Sequence, residues 1–254
     1  MNQGKLKGRT ALITGAVRRV GREIALALAG EGVDVVVHHR GERSGDEANA
    51  LCAEIAKRGV KAWPIMADFE DEGECNTLIS RAVESAGRLD ILINNASLFM
   101  PDTLDTLQLD NLMRHVRVNA WAPFVLCREF ARLGTGGKVI NLLDSRVSGY
   151  DFKHVGYILS KGMLSALTEM TAIEYAPGIT VNAVAPGLIL PPPGKNMEYL
   201  EGLAGTVPLR RHGGPADIAD AVLYLLGNDF ITGQVIYVDG GRHLMEYPDG
   251  QDNN

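Results

Sequence analysis

The chain has 254 residues, 46% of them hydrophobic, and a formal net charge of −6 at neutral pH. That length and hydrophobic content suit one domain with a sizeable core, and the acidic balance offers no basic field to nucleic acid or an anionic membrane, so a small molecule is the expected partner. The three cysteines, Cys52, Cys75 and Cys127, lie far apart inside helical patterns and imply neither a disulfide framework nor a metal site; no apolar signal core or membrane-length run is present, which makes the cytoplasm the expected compartment.

In chain order, short β-branched runs alternate with longer helical patterns. Strands are expected over 10–14, 33–39, 60–66, 90–94, 138–143, 179–185 and 234–238, and helices over 19–30, 46–58 and 215–226. The alternation predicts an α/β fold in which a doubly wound parallel sheet carries helices on both faces, with a ligand crevice at the carboxyl ends of the strands. The residues with chemistry to offer fall at those ends. The polar tail 247–254 is expected to fray.

The first strand runs into T-G-A-V-R-R-V-G, residues 14–21, and then directly into a helix. A glycine turn there lets backbone N–H groups and the positive helix end face a pyrophosphate, so Gly15, Arg18, Arg19, Val20 and Gly21 are candidate dinucleotide contacts. Arg19 stands where a third glycine is usual, and its side chain must project over the phosphates or into a substrate cleft. The second strand ends in His38, His39 and Arg40, where an NAD site would place a carboxylate for the ribose hydroxyls. Basic residues suit a ribose phosphate instead and favour NADPH over NADH, with Arg43 and Ser44 adding contacts if the loop curls back. After the third strand Asp68, followed by Phe69, can accept from an adenine amino group or cap the next helix; after the fourth, Asn95, Ala96 and Ser97 suit the closing of a nucleotide cleft. Phe99 is either a packing residue or an exposed ring able to stack on a flat substrate.

Tyr157 and Lys161 lie four apart at the start of a helical pattern carrying Met163, Leu164, Leu167, Met170 and Ile173, so both side chains share a helix face. A phenol beside an ammonium is a proton donor, because the positive charge favours the phenolate and lowers the phenol's pKa. Asp144 follows the apolar run 139–143, thirteen residues before Tyr157, where a side chain can face a cleft.

Together, T-G-x-x-x-x-x-G, N-N-A, Tyr-x-x-x-Lys and the later Pro186-Gly187 resemble the short-chain dehydrogenase/reductases over nearly the whole chain, from Gly8 to His243. The resemblance implies a Rossmann fold, a nicotinamide dinucleotide also touched by Leu188 and Ile189, Tyr157 as proton donor and Lys161 on the nicotinamide ribose. Asn119, in V-N-A-W-A-P, matches the family asparagine that anchors a water leading to that lysine. The departures are narrower: Asp144 replaces the usual serine and Arg19 the middle glycine, as in the pteridine reductases, which the N-A-S-x-F segment and the D-G-G-R-H-L ending also resemble. That likeness implies Phe99 stacking a pterin, Arg19 and Ser97 on pterin or phosphate groups, Asp144 and Tyr157 at the substrate, and a homotetramer.

A dihydropterin takes hydride at an imine carbon and a proton at its nitrogen; Asp144 can supply or relay that proton only if burial keeps its carboxyl protonated. A one-residue strand shift would instead bring Ser145 into the serine's place. The residues therefore leave three readings open: an NADPH-dependent pterin reductase, a carbonyl or 3-oxoacyl thioester reductase, and a non-catalytic NADPH sensor. Residues 188–214, with Pro191, Pro192, Pro193 and several glycines, lie where the family places its substrate lid.

Overall fold

The computed structural model describes residues 4–149, 151–192 and 194–245. Pro193 and the 247–254 tail lie outside the described residues. The strands are β1 (Thr10–Ile13), β2 (Asp34–His39), β3 (Ala62–Met66), β4 (Ile91–Asn94), β5 (Gly137–Leu142), β6 (Ile179–Pro186) and β7 (Val235–Val238). The helices are α1 (Arg19–Gly30), α2 (Gly45–Ala56), α3 (Glu72–Ala86), α4 (Leu109–Val116), α5 (Ala122–Arg132), α6 (Val155–Glu174), α7 (Met197–Leu203) and α8 (Pro215–Leu226). The expected strands and helices are all present, with ends displaced by a residue or two. Helix α7 falls in the segment 188–214, for which the sequence reading named a substrate lid and no helix. No helix among the described residues is long and apolar enough to cross a membrane.

All seven strands pair in parallel in the order β3-β2-β1-β4-β5-β6-β7. This is the doubly wound Rossmann arrangement expected from the alternation. Strand side chains alternate between faces, and the core divides accordingly. Ala11, Ile13, Val35, Val37, Ile91 and Ile93 pack into one layer with Ile24, Leu28, Val222 and Leu225 of α1 and α8. Leu12, Val36, Leu92 and Val139 pack into the other with Leu78, Ile79, Leu126 and Phe130 of α3 and α5. Chain direction across the sheet reverses between β1 and β4, and the crevice opens at their carboxyl ends.

Between α4 and α5 the chain makes a π-helical turn, Arg117–Trp121, so the two helices are continuous through it. Helix α6 lacks a side-chain cap from its own N-cap residue, His154. Asp102 takes that role from a distant loop, where its Oδ1 accepts the Gly156 N–H at 2.9 Å. That bond fixes the first turn of α6 at the residue before Tyr157.

Candidate active site

At the crevice, Gly15 has φ +61°, which glycine adopts without strain. A Cβ on Gly21 would run into the Gly15 carbonyl and the Asn95 side chain, so the turn closes tightly only with glycine there. Asn95 ties the turn to the end of β4: its Nδ2 donates to the Thr14 and Gly15 carbonyls at 2.9 and 3.0 Å. Ala96 joins the tie through its N–H, which donates to Thr14 Oγ1 at 2.9 Å. The first turn of α1 has neither a side-chain cap nor an acidic residue, which leaves its N–H groups to an anion. Pro186 ends β6, and Gly187 lies so close to Asp239 that a Cβ would come within 2.5 Å of Asp239 Cβ. Leu188 and Ile189 are buried beyond it, and Val20 packs against the core.

Arg19 has φ +56°, a left-handed conformation that costs a non-glycine residue about 1 kcal/mol or more. Both of its terminal nitrogens donate to the Pro191 carbonyl at 3.0 Å, bridging the glycine turn to the 188–214 segment. Arg18 pairs instead with Glu47 of α2.

The end of β2 differs from the sequence expectation at His38. Instead of facing a ribose phosphate, its buried ring supports the glycine turn: Nδ1 accepts the Gly15 N–H at 2.9 Å and Nε2 donates to the Ala67 carbonyl at 2.9 Å. Both ring nitrogens are spent on backbone, and the ring stacks on Phe69 with centroids 4.6 Å apart. Burial pushes this imidazole down to about 4 despite the opposing Ala67 bond, so it is neutral. His39 Nδ1 meets the Gly41 carbonyl and Ser44 Oγ at 3.1 and 3.3 Å, the loop having curled back. Arg40 is exposed and pairs with Asp68 at 3.1 Å and Glu70 at 2.7 Å. Asp68 does not cap α3; Asp71 does, accepting the Glu74 N–H at 3.0 Å.

Tyr157 and Lys161 are both buried on one face of α6. Tyr157 Oη donates to Asp144 Oδ2 at 3.1 Å, and Lys161 Nζ donates to the Leu142 carbonyl at 2.6 Å. Asp144, not Ser145, therefore meets the phenol. Burial lowers Lys161 to about 8, with Asp144 opposing. The phenol departs from expectation in sign: burial pushes its pKa well up, Asp144 adds to this, and Arg146 opposes it. Lys161 Nζ is 5.7 Å from the centre of the phenol ring.

The sequence reading passed over Arg146. Asp144 caps the short 3-10 turn Ser145–Ser148, its Oδ1 accepting the Arg146 N–H at 2.9 Å. The Arg146 guanidinium returns to the same carboxylate, Nε to Oδ1 at 3.1 Å and Nη2 to Oδ2 at 3.3 Å, while Nη1 pairs with Asp151. Proton donation by Asp144 had required burial to keep its carboxyl protonated; the carboxyl instead sits in an ion pair with a guanidinium. Asp151 also faces His154 Nδ1 at 2.8 Å. Burial pushes the Asp151 carboxyl up, but His154 and Arg146 outweigh it and hold it at about 2.

Phe99 lies over this cluster. Its ring meets the Tyr157 ring edge-on at 4.8 Å and stacks on His154 at 4.1 Å. Asn119, in the π-helical turn, accepts the Leu98 N–H at 2.7 Å and the Ser97 hydroxyl at 3.2 Å, and donates to the Leu98 carbonyl and Ser160 Oγ at 2.9 and 3.0 Å. It thus binds the Ser97–Phe99 loop to α6. Beneath Gly156, His115 Nε2 and Asp102 Oδ2 face each other at 3.7 Å, both buried and neither hydrogen-bonded.

A sequence profile of the family described as enoyl-(acyl carrier protein) reductase matches residues 15–243. The chain belongs to the short-chain dehydrogenase/reductase family. It is 33% identical over 263 residues to a glucose 1-dehydrogenase of Gluconobacter oxydans (strain 621H), covering 98% of this chain and 96% of that protein. It is likewise 33% identical over 253 residues to the 3-oxoacyl-(acyl-carrier-protein) reductase FabG of Staphylococcus aureus (strain Mu50 / ATCC 700699), covering 93% of this chain and 98% of that protein. Among solved structures, FolM alternative dihydrofolate reductase 1 from Brucella canis complexed with NADP superposes with a TM-score of 0.90 at 34% identity, covering 98% of this chain and 99% of that one. A short-chain dehydrogenase/reductase is an oxidoreductase that works with a nicotinamide dinucleotide. The crevice fits that group: the α1 N-terminus is uncapped, Gly21 and Gly187 leave no room for a side chain, and Arg40 stands at the end of β2.

Proposed function

We propose that this short-chain reductase converts a dihydropterin to the tetrahydropterin. The observation that carries the reading is the Asp144 carboxylate at 3.1 Å from the Tyr157 hydroxyl, with the Phe99 ring 4.8 Å from that tyrosine. A flat heterocycle can stack on Phe99 while a ring nitrogen meets the phenol, an arrangement a 3-oxoacyl chain does not need. The left-handed Arg19 and the likeness to the Brucella canis FolM structure support the same reading.

NADPH, when bound, supplies the hydride. Gly15 to Gly21 and the α1 N-terminus hold its pyrophosphate, with Arg18, Arg19 and Val20 in that turn. Arg40 and His39 hold the ribose phosphate. Asp68 and Phe69 border the adenine, Asn95 to Ser97 close the cleft, and Pro186 to Ile189 border the nicotinamide. Lys161 holds the nicotinamide ribose. Tyr157 gives its proton to the pterin nitrogen with Asp144 as hydrogen-bond partner, and Asn119 holds the loop carrying Ser97 and Phe99 against α6. Residues 188–214 act as the substrate lid. The reading extends to a homotetramer in the cytoplasm: Leu159, Met163, Met170 and Ile173 expose apolar side chains along α6.

A second reading, reduction of a 3-oxoacyl thioester, is favoured by the FabG relatives. The test is NADPH oxidation by the purified protein with 7,8-dihydrobiopterin, 7,8-dihydromonapterin, dihydrofolate and acetoacetyl thioester in parallel, and with NADH as control. Turnover of a dihydropterin that falls at least about 100-fold in Tyr157→Phe is expected. Turnover of the thioester alone would replace this reading with the second.

A further inference from the structure

Arg146 comes two residues after Asp144, and the 3-10 turn between them folds the arginine back onto the carboxylate it follows. Four donors converge on Asp144: the Arg146 N–H at 2.9 Å, its Nε at 3.1 Å, its Nη2 at 3.3 Å and the Tyr157 hydroxyl at 3.1 Å. A carboxylate has about four lone-pair positions, so this one is filled. The guanidinium is itself locked from behind by Asp151, which accepts the Lys153 N–H at 2.8 Å and meets His154 at 2.8 Å. Arg146 and Asp144 are both largely buried, where water screens their charges weakly.

We infer that Arg146 is a positioning residue of the reaction: it balances the charge of Asp144 beside the phenol and so sets how readily Tyr157 releases its proton. This rests on the reading of Tyr157 as the proton donor. It assigns Asp144 the part of an ion-paired acceptor, filling the usual serine's place as a hydrogen-bond partner without leaving a naked negative charge there. Removing Arg146 alone leaves an unbalanced anion 3.1 Å from the phenol and disfavours phenolate. Removing the Asp144 charge alone takes the anion away from the phenol and leaves Arg146 paired with Asp151 only, which favours phenolate. The two deletions act with opposite sign, and a merely structural loop tie has no reason to do so.

Among the described residues, the other groups facing this cluster are the same in every variant compared. They are Lys161 on α6, His115 on α4 with its ring 6.4 Å from that of Tyr157, Asp102 beside it, His154 and Asp151 in the loop, and Arg242 and His243, which line a small cavity with Arg146.

The experiment places 2,3-difluorotyrosine at position 157 of the full chain, a phenol acidic enough to titrate in a workable range, and follows its fluorine resonances with pH, without substrate. Arg146→Met should move the titration up by roughly one pH unit, Asp144→Asn should move it down, and the double variant should return close to the parent. Arg146→Lys, which keeps the charge, should stay near the parent, and Arg146→Gln replaces Arg146→Met if the latter does not fold. Shifts of the same sign in the two single variants, or no shift in either, would overturn the inference. Because no pterin enters the measurement, its outcome is independent of the substrate assignment. With the preferred dihydropterin, kcat of Arg146→Met should fall about tenfold while KM for NADPH holds.

Discussion

His38 ties the glycine turn to β2 through a neutral ring, and that makes it a pH-dependent strut. Its folded-state pKa of about 4 lies below the ordinary 6.5, so between those values only the unfolded chain binds the proton. The contribution is complete above the unfolded value and is lost as pH falls toward the folded one, by roughly 3 kcal/mol in all. Denaturant unfolding at pH 7 and pH 4.5 should show a fall of that order, and His38→Asn should flatten the fall; an equal fall in the variant would relieve His38 of this role. The sequence H-H-R was legible as a polar strand end, but not which ring turned inward. That depends on the Gly15 N–H and the Ala67 carbonyl, which meet only in the folded chain. Arg146 escaped notice for a related reason. An arginine two residues after an aspartate reads as an ordinary loop pair until a 3-10 turn folds it back.

The element proposed to read the cofactor is the end of β2 with the loop after β3. Arg40 is held by Asp68 and Glu70, and Glu70 is gripped from its other side by Arg114 at 2.9 and 3.0 Å. A ribose phosphate arriving at Arg40 must compete with these two carboxylates. Glu70→Gln should therefore tighten NADPH by about threefold, the scale of a partly exposed ion pair, and leave NADH unchanged. Titration of both cofactors by fluorescence checks this; an equal change for the two would mean that Glu70 acts on the loop and not on the phosphate. At this scale strands were read well, since a parallel sheet buried on both faces demands continuous apolar runs such as Val35–Val36–Val37 and Ile91–Leu92–Ile93. Helix caps were read less well: Asp68 was offered as the cap of the helix after β3, and the backbone gives that part to Asp71. Helix α7 was hidden by the prolines and glycines that flank it.

Across the whole molecule, the order and spacing of the glycine turn, N-N-A and Tyr-x-x-x-Lys carried the fold and the family, because the first two end the neighbouring strands β1 and β4 and the third lies in α6, the helix that follows the next strand, β5. The outer face of α6 is one that periodicity describes only in part. The α6 pattern mixes the buried Leu164 with Met170 and Ile173, which are 64% and 81% exposed. If copies pack through that face, Met170→Glu with Ile173→Glu should reduce a tetramer to smaller species by light scattering while the fold is kept; an unchanged mass would place the interface elsewhere.

The π-helical turn 117–121 carries one residue more than an α-helical path through the same space would need. Asn119 reaches Leu98 and Ser160 from within that surplus. The asparagine's position is thus tied to the length of the chain through this turn as well as to a residue type. In a chain one residue shorter at this turn, the same asparagine would face about 100° away around the helix. Changes of chain length at this turn, as much as substitutions, decide whether the loop bearing Ser97 and Phe99 is held over the tyrosine.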